Sequence, residues 1–328
     1  MRRLVIFKIC LAICLAASGG ACSLNDFVFG RLAESSAGLF TQWHGQSMRG
    51  SELTRLSDRL YTYRWEWYRS LVVRTGAGYV VIDPFNPVAA ADLRERLAAE
   101  ERSRRGQRAG AEPRIHTLIY SHYHIDHVSG GRELAPANVL AHKLSPGYWS
   151  YLSNTADVLA PTRLIDGDHS FRVGGVEFRL IDLGRSHTDT MFALHVPSER
   201  ALFLADIGII RTMPADLDVF LPGVIQGMEK LAGLDFEIYV PSHYGYGTKQ
   251  DFLDALEYLS FVRALAREGV AKHNAGAGRS LPLEGERMRA LFDSVYYPTK
   301  AKYGHWHGFS ELAFANLFRR IVGETLGF

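Results

Sequence analysis

Short apolar runs, rich in β-branched and aromatic residues, alternate along the chain with turns that contain glycine, proline or serine. Runs of this length and composition predict β-strands. They occupy residues 60–67, 70–75, 79–83, 115–120, 138–142, 170–173, 176–183, 191–196, 201–205 and 236–240. Stretches with helical periodicity occupy residues 88–102, 224–231, 250–267, 284–295 and 310–326. Two clusters of strands with intervening helices predict an α/β (α+β) fold: two mixed sheets packed face to face and flanked by helices.

The amino terminus has a different pattern. Met1-Arg2-Arg3 is charged, residues 4–17 are apolar apart from one lysine, and small residues precede Cys22. This layout predicts an export signal over residues 1–22, and therefore an exported, periplasmic bacterial protein. Two ways of processing that signal are compatible with the sequence. One is cleavage by the ordinary signal peptidase, and the other is lipidation of Cys22, which would anchor the chain to a membrane. A buried amino-terminal helix is the structural alternative.

The pattern also predicts domain limits. Residues 23–54 are polar and irregular and form a lead-in. Residues 55–270 contain all the predicted strands and form the main domain. The glycine- and alanine-rich stretch 275–280 sets off a carboxy-terminal helical extension over residues 271–328.

Composition narrows the functional classes. With 328 residues, 47% of them hydrophobic, the chain is long enough for a large core. A net charge of +2 argues against a dedicated nucleic-acid-binding protein, so the expected partner is a small-molecule substrate. All three cysteines lie within residues 1–22, which excludes a thiolate as ligand or nucleophile in the remainder of the chain.

Candidate chemistry begins directly after the predicted strand 115–120. His122, His124, Asp126 and His127 fall within six residues and are followed by two glycines. In extended backbone, His122 and His124 point to the same side. Imidazole nitrogens and carboxylates are ligands that zinc accepts. The spacing therefore indicates a metal site at the end of this strand.

Three further strands end at residues of the same kind. His187 follows the run 176–183, Asp206 follows 201–205, and His243 follows 236–240. In α/β architectures the carboxyl ends of strands are where binding sites form. These side chains are therefore expected to meet the first block.

The His-X-His-X-Asp-His block followed by a histidine, an aspartate and a histidine resembles the metallo-β-lactamase superfamily, over about residues 55 to 265. The resemblance implies a four-layer αββα sandwich and two bound Zn²⁺ ions, with iron or manganese as alternative native metals. It also implies a ligand set of seven. One metal is assigned to His122, His124 and His187, the second to Asp126, His127 and His243, and both to a bridging carboxylate from Asp206.

The function that this resemblance implies is an exported hydrolase in which a hydroxide bridging two zinc ions attacks a small ester, lactone or similar bond. Asp126 is the predicted catalytic residue, because it can orient the hydroxide and accept its proton. A β-lactam hydrolase is one alternative, although true zinc β-lactamases carry Cys or Ser at the position of Asp206. A mononuclear iron dioxygenase on the same fold is another, and a non-catalytic metal-binding module is a third.

Residues beside the ligands have open roles. Asp83, Thr188 and Asp189 either orient the histidines or cap their own loops. Tyrosines 123, 244 and 246 either donate to substrate or pack beside the site, and the aromatic residues 148, 149 and 151 either form a substrate wall or belong to the core. His305 and His307 are expected at the surface or in a lid.

Overall fold

The computed structural model describes residues 49–104, 112–214, 219–273 and 285–327. They divide into two compact units. One comprises the described residues of Ser47–Arg211 and Asp216–Glu257, and the other those of Thr212–Ala215 and Tyr258–Phe328. All strands of the described residues lie in the first unit. The predicted domain limits at residues 22, 54 and 270 stay predictions.

The first sheet has seven strands in chain order. They are β1 (Ser51–Arg55), β2 (Leu60–Trp65), β3 (Tyr68–Thr75), β4 (Gly78–Ile82), β5 (Ile115–Ile119), β6 (Asn138–His142) and β7 (Arg163–Ile165). Strands β1 to β4 pair antiparallel, and β4 to β7 pair parallel. The parallel half aligns the carboxyl ends of its strands at one edge of the sheet, where the first ligand block begins.

The second sheet has six strands in the order β13-β12-β11-β10-β9-β8. They are β8 (His169–Val173), β9 (Val176–Asp182), β10 (Phe192–Val196), β11 (Ala201–Leu204), β12 (Ile238–Pro241) and β13 (Gly247–Thr248). Only β11 and β12 pair parallel. Every residue of β10 and β11 is buried, as expected for strands covered on both faces.

The described residues also form eight α-helices. In chain order they are α1 (Pro87–Arg104), α2 (Ile125–Val128), α3 (Gly131–Leu134), α4 (Ser145–Trp149), α5 (Leu221–Ala232), α6 (Lys249–His273), α7 (Gly285–Tyr303) and α8 (Phe309–Leu326). In the second unit, α7 and α8 pack together. The hydroxyl of Tyr258 there donates to the Asn316 side chain (2.8 Å).

Helix α1 is held against the first sheet by three buried tyrosines whose hydroxyls reach carboxylates on the helix. A buried tyrosine needs a hydrogen-bond partner for its hydroxyl, so these pairs fix the position of the helix. The pairs are Tyr61 with Glu100 (2.8 Å), Tyr63 with Asp92 (2.9 Å) and Tyr79 with Glu101 (2.8 Å).

The predicted fold class is confirmed: two mixed sheets with flanking helices form the sandwich. One local expectation differs. The irregular lead-in was expected to extend to residue 54, whereas Ser51–Arg55 pairs along its length with β2. This strand lies at the sheet edge and is partly exposed, so its sequence lacks the apolar alternation of a buried strand. Residues 23–48 lie outside the described residues.

Candidate metal centre

Each predicted ligand loop leaves the carboxyl end of a strand. His122 follows β5, His187 follows β9, Asp206 follows β11 and His243 follows β12. His124 has extended backbone and immediately precedes α2, the short helix that carries Asp126 and His127. Asp206 has a φ of 58°, a left-handed conformation that costs energy in a residue with a Cβ. The site is therefore assembled by loops that the strands hold in place.

The carboxylate of Asp206 lies at the centre of the site. Its Oδ2 is 3.4 Å from His122 Nε2 and 3.2 Å from His187 Nε2. Its Oδ1 is 3.1 Å from His127 Nε2 and 2.9 Å from His243 Nε2. The two oxygens thus face two different pairs of histidines, an arrangement that a bridging carboxylate requires.

His124 completes the first group, because its Nδ1 lies 3.1 Å from His187 Nε2. Three potential ligand groups occur among the described residues, each with ligand atoms within 4.8 Å of one another, and two of these groups share Asp206. We call them group 1, which is His122, His124, His187 and Asp206, and group 2, which is His127, Asp206 and His243. Six of the seven predicted ligands belong to these groups, and their role as ligands stays a prediction.

Asp126, the seventh predicted ligand and the predicted catalytic residue, lies apart from both groups. Its carboxylate Oδ2 is 3.9 Å from His127 Nε2, and its side chain is 55% exposed. Its Oδ2 accepts a hydrogen bond from the Tyr68 hydroxyl (3.1 Å). Asp126 therefore borders group 2 from the solvent side.

The donor set fits a divalent cation. The Nε2 atoms of His122 and His127 are buried and have no hydrogen-bond partner among the described residues, although both face the Asp206 carboxylate. Unpaired buried polar atoms are costly, and a cation accepting their lone pairs would remove that cost. Imidazoles with one carboxylate are typical ligands of zinc and similar transition metals. The fold and this cluster together indicate divalent metal binding.

Asp83 holds the imidazole of His127, one of the predicted ligands. It is fully buried, and its carboxylate accepts hydrogen bonds from the Ser121 amide (2.8 Å), the Ser121 hydroxyl (2.6 Å) and Nδ1 of His127 (3.0 Å). A donated Nδ1 proton leaves Nε2 of His127 with its lone pair toward group 2. Asp83 also lies within 4.8 Å of ligand atoms on His122 and His127, but with three hydrogen bonds already accepted it fits an orienting role better. The open role of Asp83 is thus answered by its geometry.

The electrostatics of the metal-free site follow from burial and from these carboxylates. Burial lowers the pKa of His122 to about 3, so its imidazole is neutral. Burial acts to lower the pKa of His127 too, but the carboxylates of Asp206 and Asp126 outweigh it and hold that pKa well above 6.5. For Asp206, burial acts to raise the pKa, and His127 with His243 outweighs burial and holds it well below its ordinary value. A cation entering group 2 would replace the proton on His127.

Ser242 fixes the position of the central carboxylate. Its hydroxyl donates to Oδ1 of Asp206 (2.7 Å) and accepts from the Asp206 amide (2.9 Å). The backbone oxygen of Ser242 in turn accepts from the Arg69 amide (2.6 Å). Neither residue stands out in the sequence, because both gain their role from strands that meet only in the fold.

Tyr68 is a further residue near the site that the sequence did not indicate. Its hydroxyl contacts Asp126, and its ring lies 5.0 Å from the His243 ring and 5.8 Å from the His127 ring. Burial, and then the Asp126 carboxylate, raise the pKa of its hydroxyl, which therefore stays protonated. Tyr68 begins β3, far from every ligand in sequence, so no local spacing could have indicated it.

Helix α4 connects two of the loops that supply group 1, the loop of His124 and the loop of His187. The ring of Tyr148 stacks on that of Tyr123 at 4.2 Å, and its hydroxyl donates to Asp189 (3.0 Å). Trp149 is buried and its indole N–H donates to the Tyr123 carbonyl (2.7 Å). Trp149 therefore belongs to the core, whereas Tyr151 is 89% exposed.

The other candidates lie as follows. The Thr188 hydroxyl is hydrogen-bonded to that of Thr190 (3.1 Å), which accepts from the Tyr123 amide (3.0 Å), so this pair ties the two ligand loops together. His305 and His307 have exposed side chains in the second unit.

The protein thus combines a sandwich of two mixed sheets with a His/Asp cluster that is suited to binding divalent metal ions. A family model for the metallo-beta-lactamase superfamily matches residues 69–243. The chain belongs to that superfamily, as its motif order predicted. Members of the superfamily are mostly metal-dependent hydrolases.

The chain is 30% identical over 219 residues to the 2,4-dinitroanisole O-demethylase subunit alpha of Nocardioides sp. (strain JS1661). The alignment covers 65% of this chain and 63% of that protein, so the chain spans less than two thirds of that relative's length. The fold of this chain is similar to that of a metallo-beta-lactamase from Pontibacter korlensis (TM-score 0.54, 17% identity, 64% of this chain and 99% of that one). It is also similar to the sec-alkylsulfatase Pisa1 from Pseudomonas sp. (TM-score 0.55, 16% identity, 84% and 56%). At these identities the two solved structures show the fold alone.

The predicted export signal over residues 1–22, with Cys22, lies outside the described residues. Among the residues that are described, the helices are too short or too polar to span a bilayer.

Proposed function

We propose that the protein is an exported, metal-dependent hydrolase that binds two Zn²⁺ ions and cleaves a small ester, lactone or similar bond. The observation that carries this proposal is the Asp206 carboxylate, whose two oxygens face separate histidine groups at 2.9–3.4 Å. Two cations held there would polarise the bond to be broken and lower the pKa of a bound water.

The chain's own residues have separate tasks in this proposal. Group 1 and group 2 hold the cations, with Asp126 as a further ligand of the group 2 cation. Asp83 keeps Nε2 of His127 free for that cation by accepting a hydrogen bond from Nδ1. Asp126, half exposed at the edge of group 2, is placed to orient the attacking water and to accept its proton. The Tyr123–Tyr148 stack beside His124 offers an aromatic face for part of a substrate.

Cleavage of an aryl methyl ether is the second candidate. It is favoured by the relative whose name includes O-demethylase, at 30% identity over 219 residues. Hydrolysis would consume one water and release a phenol and methanol. An oxidative route, as expected for an iron dioxygenase on this fold, would consume one molecule of oxygen and release a phenol and formic acid.

The test is turnover by the purified, zinc-loaded protein on a panel of substrates: a lactone, a thioester, an aryl ester, a β-lactam, an alkyl sulfate, a phosphodiester and 2,4-dinitroanisole. Each assay is run beside Asp206→Ala and beside Asp166→Ala, whose exposed carboxylate pairs with Lys143 on the surface. We expect an ester or lactone to be hydrolysed by the wild type and by Asp166→Ala but not by Asp206→Ala.

The products separate the alternatives. Turnover of the β-lactam alone would replace the proposal with the β-lactam hydrolase alternative. Methanol from 2,4-dinitroanisole would support ether hydrolysis, and formic acid with oxygen uptake would support the dioxygenase. No turnover of any of these with two metals bound would refute hydrolysis of this group of bonds.

Export is tested by fractionating cells that express the full chain and its Cys22→Ala variant. Periplasmic protein in both would support ordinary cleavage. Release of the variant from the membrane fraction would support lipidation of Cys22, and cytoplasmic protein would refute export.

A further inference from the structure

The side chain of Asp126 is more exposed than those of the group 2 residues and is held by different contacts. The ligand atoms of His127, Asp206 and His243 lie within 4.8 Å of one another, whereas Asp126 lies outside that group. Its side chain is 55% exposed, and the Tyr68 hydroxyl is its one hydrogen-bond donor in the described part of the chain. An exposed aspartate without such a contact would be free to adopt other rotamers.

Tyr68, by contrast, is fixed from several sides. Its backbone bridges that of His243, and its ring packs against those of His243 (5.0 Å), Phe85 (5.2 Å), Trp67 (5.5 Å) and His127 (5.8 Å). The ring therefore lies beside both histidines of group 2. A hydroxyl carried on a ring held in this way can fix the direction of a carboxylate that accepts from it.

We propose that Tyr68 is a positioning residue that holds the Asp126 carboxylate at the edge of group 2. This inference rests on the proposed metal-dependent function. The hydroxyl donates to Oδ2 of Asp126, which restricts the side chain to the rotamer that lies beside His127 Nε2.

The experiment measures metal binding, which requires no knowledge of the substrate. Wild type, Tyr68→Phe and Asp126→Asn are titrated with Zn²⁺ against a chromophoric chelator. The matched control is Tyr61→Phe, which removes a similar tyrosine–carboxylate bond between β2 and α1. Partners that orient a metal ligand are typically worth about 10–100-fold in affinity. We expect Tyr68→Phe to weaken one of two Zn²⁺ sites about tenfold, and the control to weaken neither.

A double-mutant cycle tests whether Tyr68 acts through Asp126. In Asp126→Asn the hydroxyl of Tyr68 has no carboxylate left to hold, so adding Tyr68→Phe should change nothing and the double variant should have the affinity of Asp126→Asn alone. Additive losses would overturn the proposal. Wild-type Zn²⁺ affinity in Tyr68→Phe would also overturn it, as would a wild type that binds a single ion.

Kinetics on whichever panel substrate is turned over separate positioning from substrate contact. Positioning predicts a lower kcat with KM unchanged, and a KM effect alone with unchanged metal affinity would overturn the proposal in favour of substrate binding. Failure of the whole panel would refute the proposed hydrolysis and leave the metal titrations to decide the role of Tyr68. The melting temperature of each variant identifies any that fail to fold. If Tyr68→Phe is one of them, the cycle is repeated with Tyr68→Leu, which also lacks a hydrogen-bond donor.

Discussion

Substitution of Asp83 by Asn tests whether this buried carboxylate sets the tautomer of His127. Asp83 accepts three hydrogen bonds: two from Ser121, at 2.6 and 2.8 Å, and one from Nδ1 of His127, at 3.0 Å. The bond from His127 keeps the proton on Nδ1 and leaves Nε2 available to a cation. Asparagine has nearly the same shape but offers one acceptor oxygen and one NH₂ donor.

The change creates a conflict at one side-chain atom. Oδ1 accepts from the Ser121 amide, so the asparagine oxygen is expected to stay there. The NH₂ group then takes the place of Oδ2 and faces Nδ1 of His127. For His127 to accept from it, the ring must carry its proton on Nε2, where it blocks metal binding.

The size of the effect follows from the bond that is lost. A hydrogen bond to a charged group is worth about 1.5–3 kcal/mol. Since about 1.4 kcal/mol corresponds to a factor of ten, the affinity of the group 2 cation should fall about 10–100-fold. Group 1 does not contain His127, so its cation should be bound nearly as before.

The assay is competition for Zn²⁺ with a chromophoric chelator, fitted to two sites per chain. Asp92→Asn is the control. The Asp92 carboxylate, on helix α1, accepts hydrogen bonds from Tyr63 and Arg96, and neither of these is a predicted metal ligand. Two wild-type affinities in Asp83→Asn would refute the tautomer argument. Equal weakening of both sites would show that the substitution disturbs the whole centre.

Three further predictions follow from the structure. Asp206→Asn should retain about one divalent ion fewer per chain after dialysis, since its two oxygens face different groups; unchanged metal content by elemental analysis would contradict the bridging role. In the metal-free protein, burial lowers the pKa of His122 to about 3 from 6.5. Between about pH 6.5 and 3, His122 therefore binds a proton in the unfolded chain but not in the folded protein. As the pH falls through this range, the unfolding free energy of the wild type should decrease by about 1.4 kcal/mol per pH unit more than that of His122→Gln. Urea titrations of both across that range test this, and parallel curves would refute it; His127, whose raised pKa acts with the opposite sign, is present in both proteins. Gly130→Ala should cost about 3 kcal/mol of stability, because its φ is 86° and a Cβ would lie 2.4 Å from the Asn86 carbonyl carbon. Gly175→Ala, with a φ of 89° and open space around it, should cost only about 1 kcal/mol, and equal losses in the two variants would contradict the steric reason.

The order of elements and the location of the site could be predicted because both depend on local pattern. The strand Asn138–His142 occupies the residues whose apolar content predicted it, and helices α6 and α8 begin within one residue of the expected positions. Where the pattern was weak, the prediction missed an element: β1 at the sheet edge has too little buried surface to produce apolar alternation. Helix α7 continues through Pro298, although its apolar periodicity ended at residue 295.

The family and its candidate ligands were also within reach of sequence alone. Histidines and aspartates placed directly after apolar strands have to meet, since the strands of such sheets present their carboxyl ends at one edge. The identities of the ligand candidates therefore depended only on motif order, and the match over residues 69–243 confirms the superfamily.

The tertiary structure alone decided how those side chains are held. Tyr68 and Asp126 are 58 positions apart, and Asp83 and His127 are 44 apart, so neither bond leaves a mark on local periodicity. For Asp206 the resemblance implied a bridging role, but which oxygen faces which histidines could be assigned only once the other three loops were placed around it. A hydrogen bond depends on distance and direction between two atoms, and for residues far apart in the chain only the packed sheets fix both.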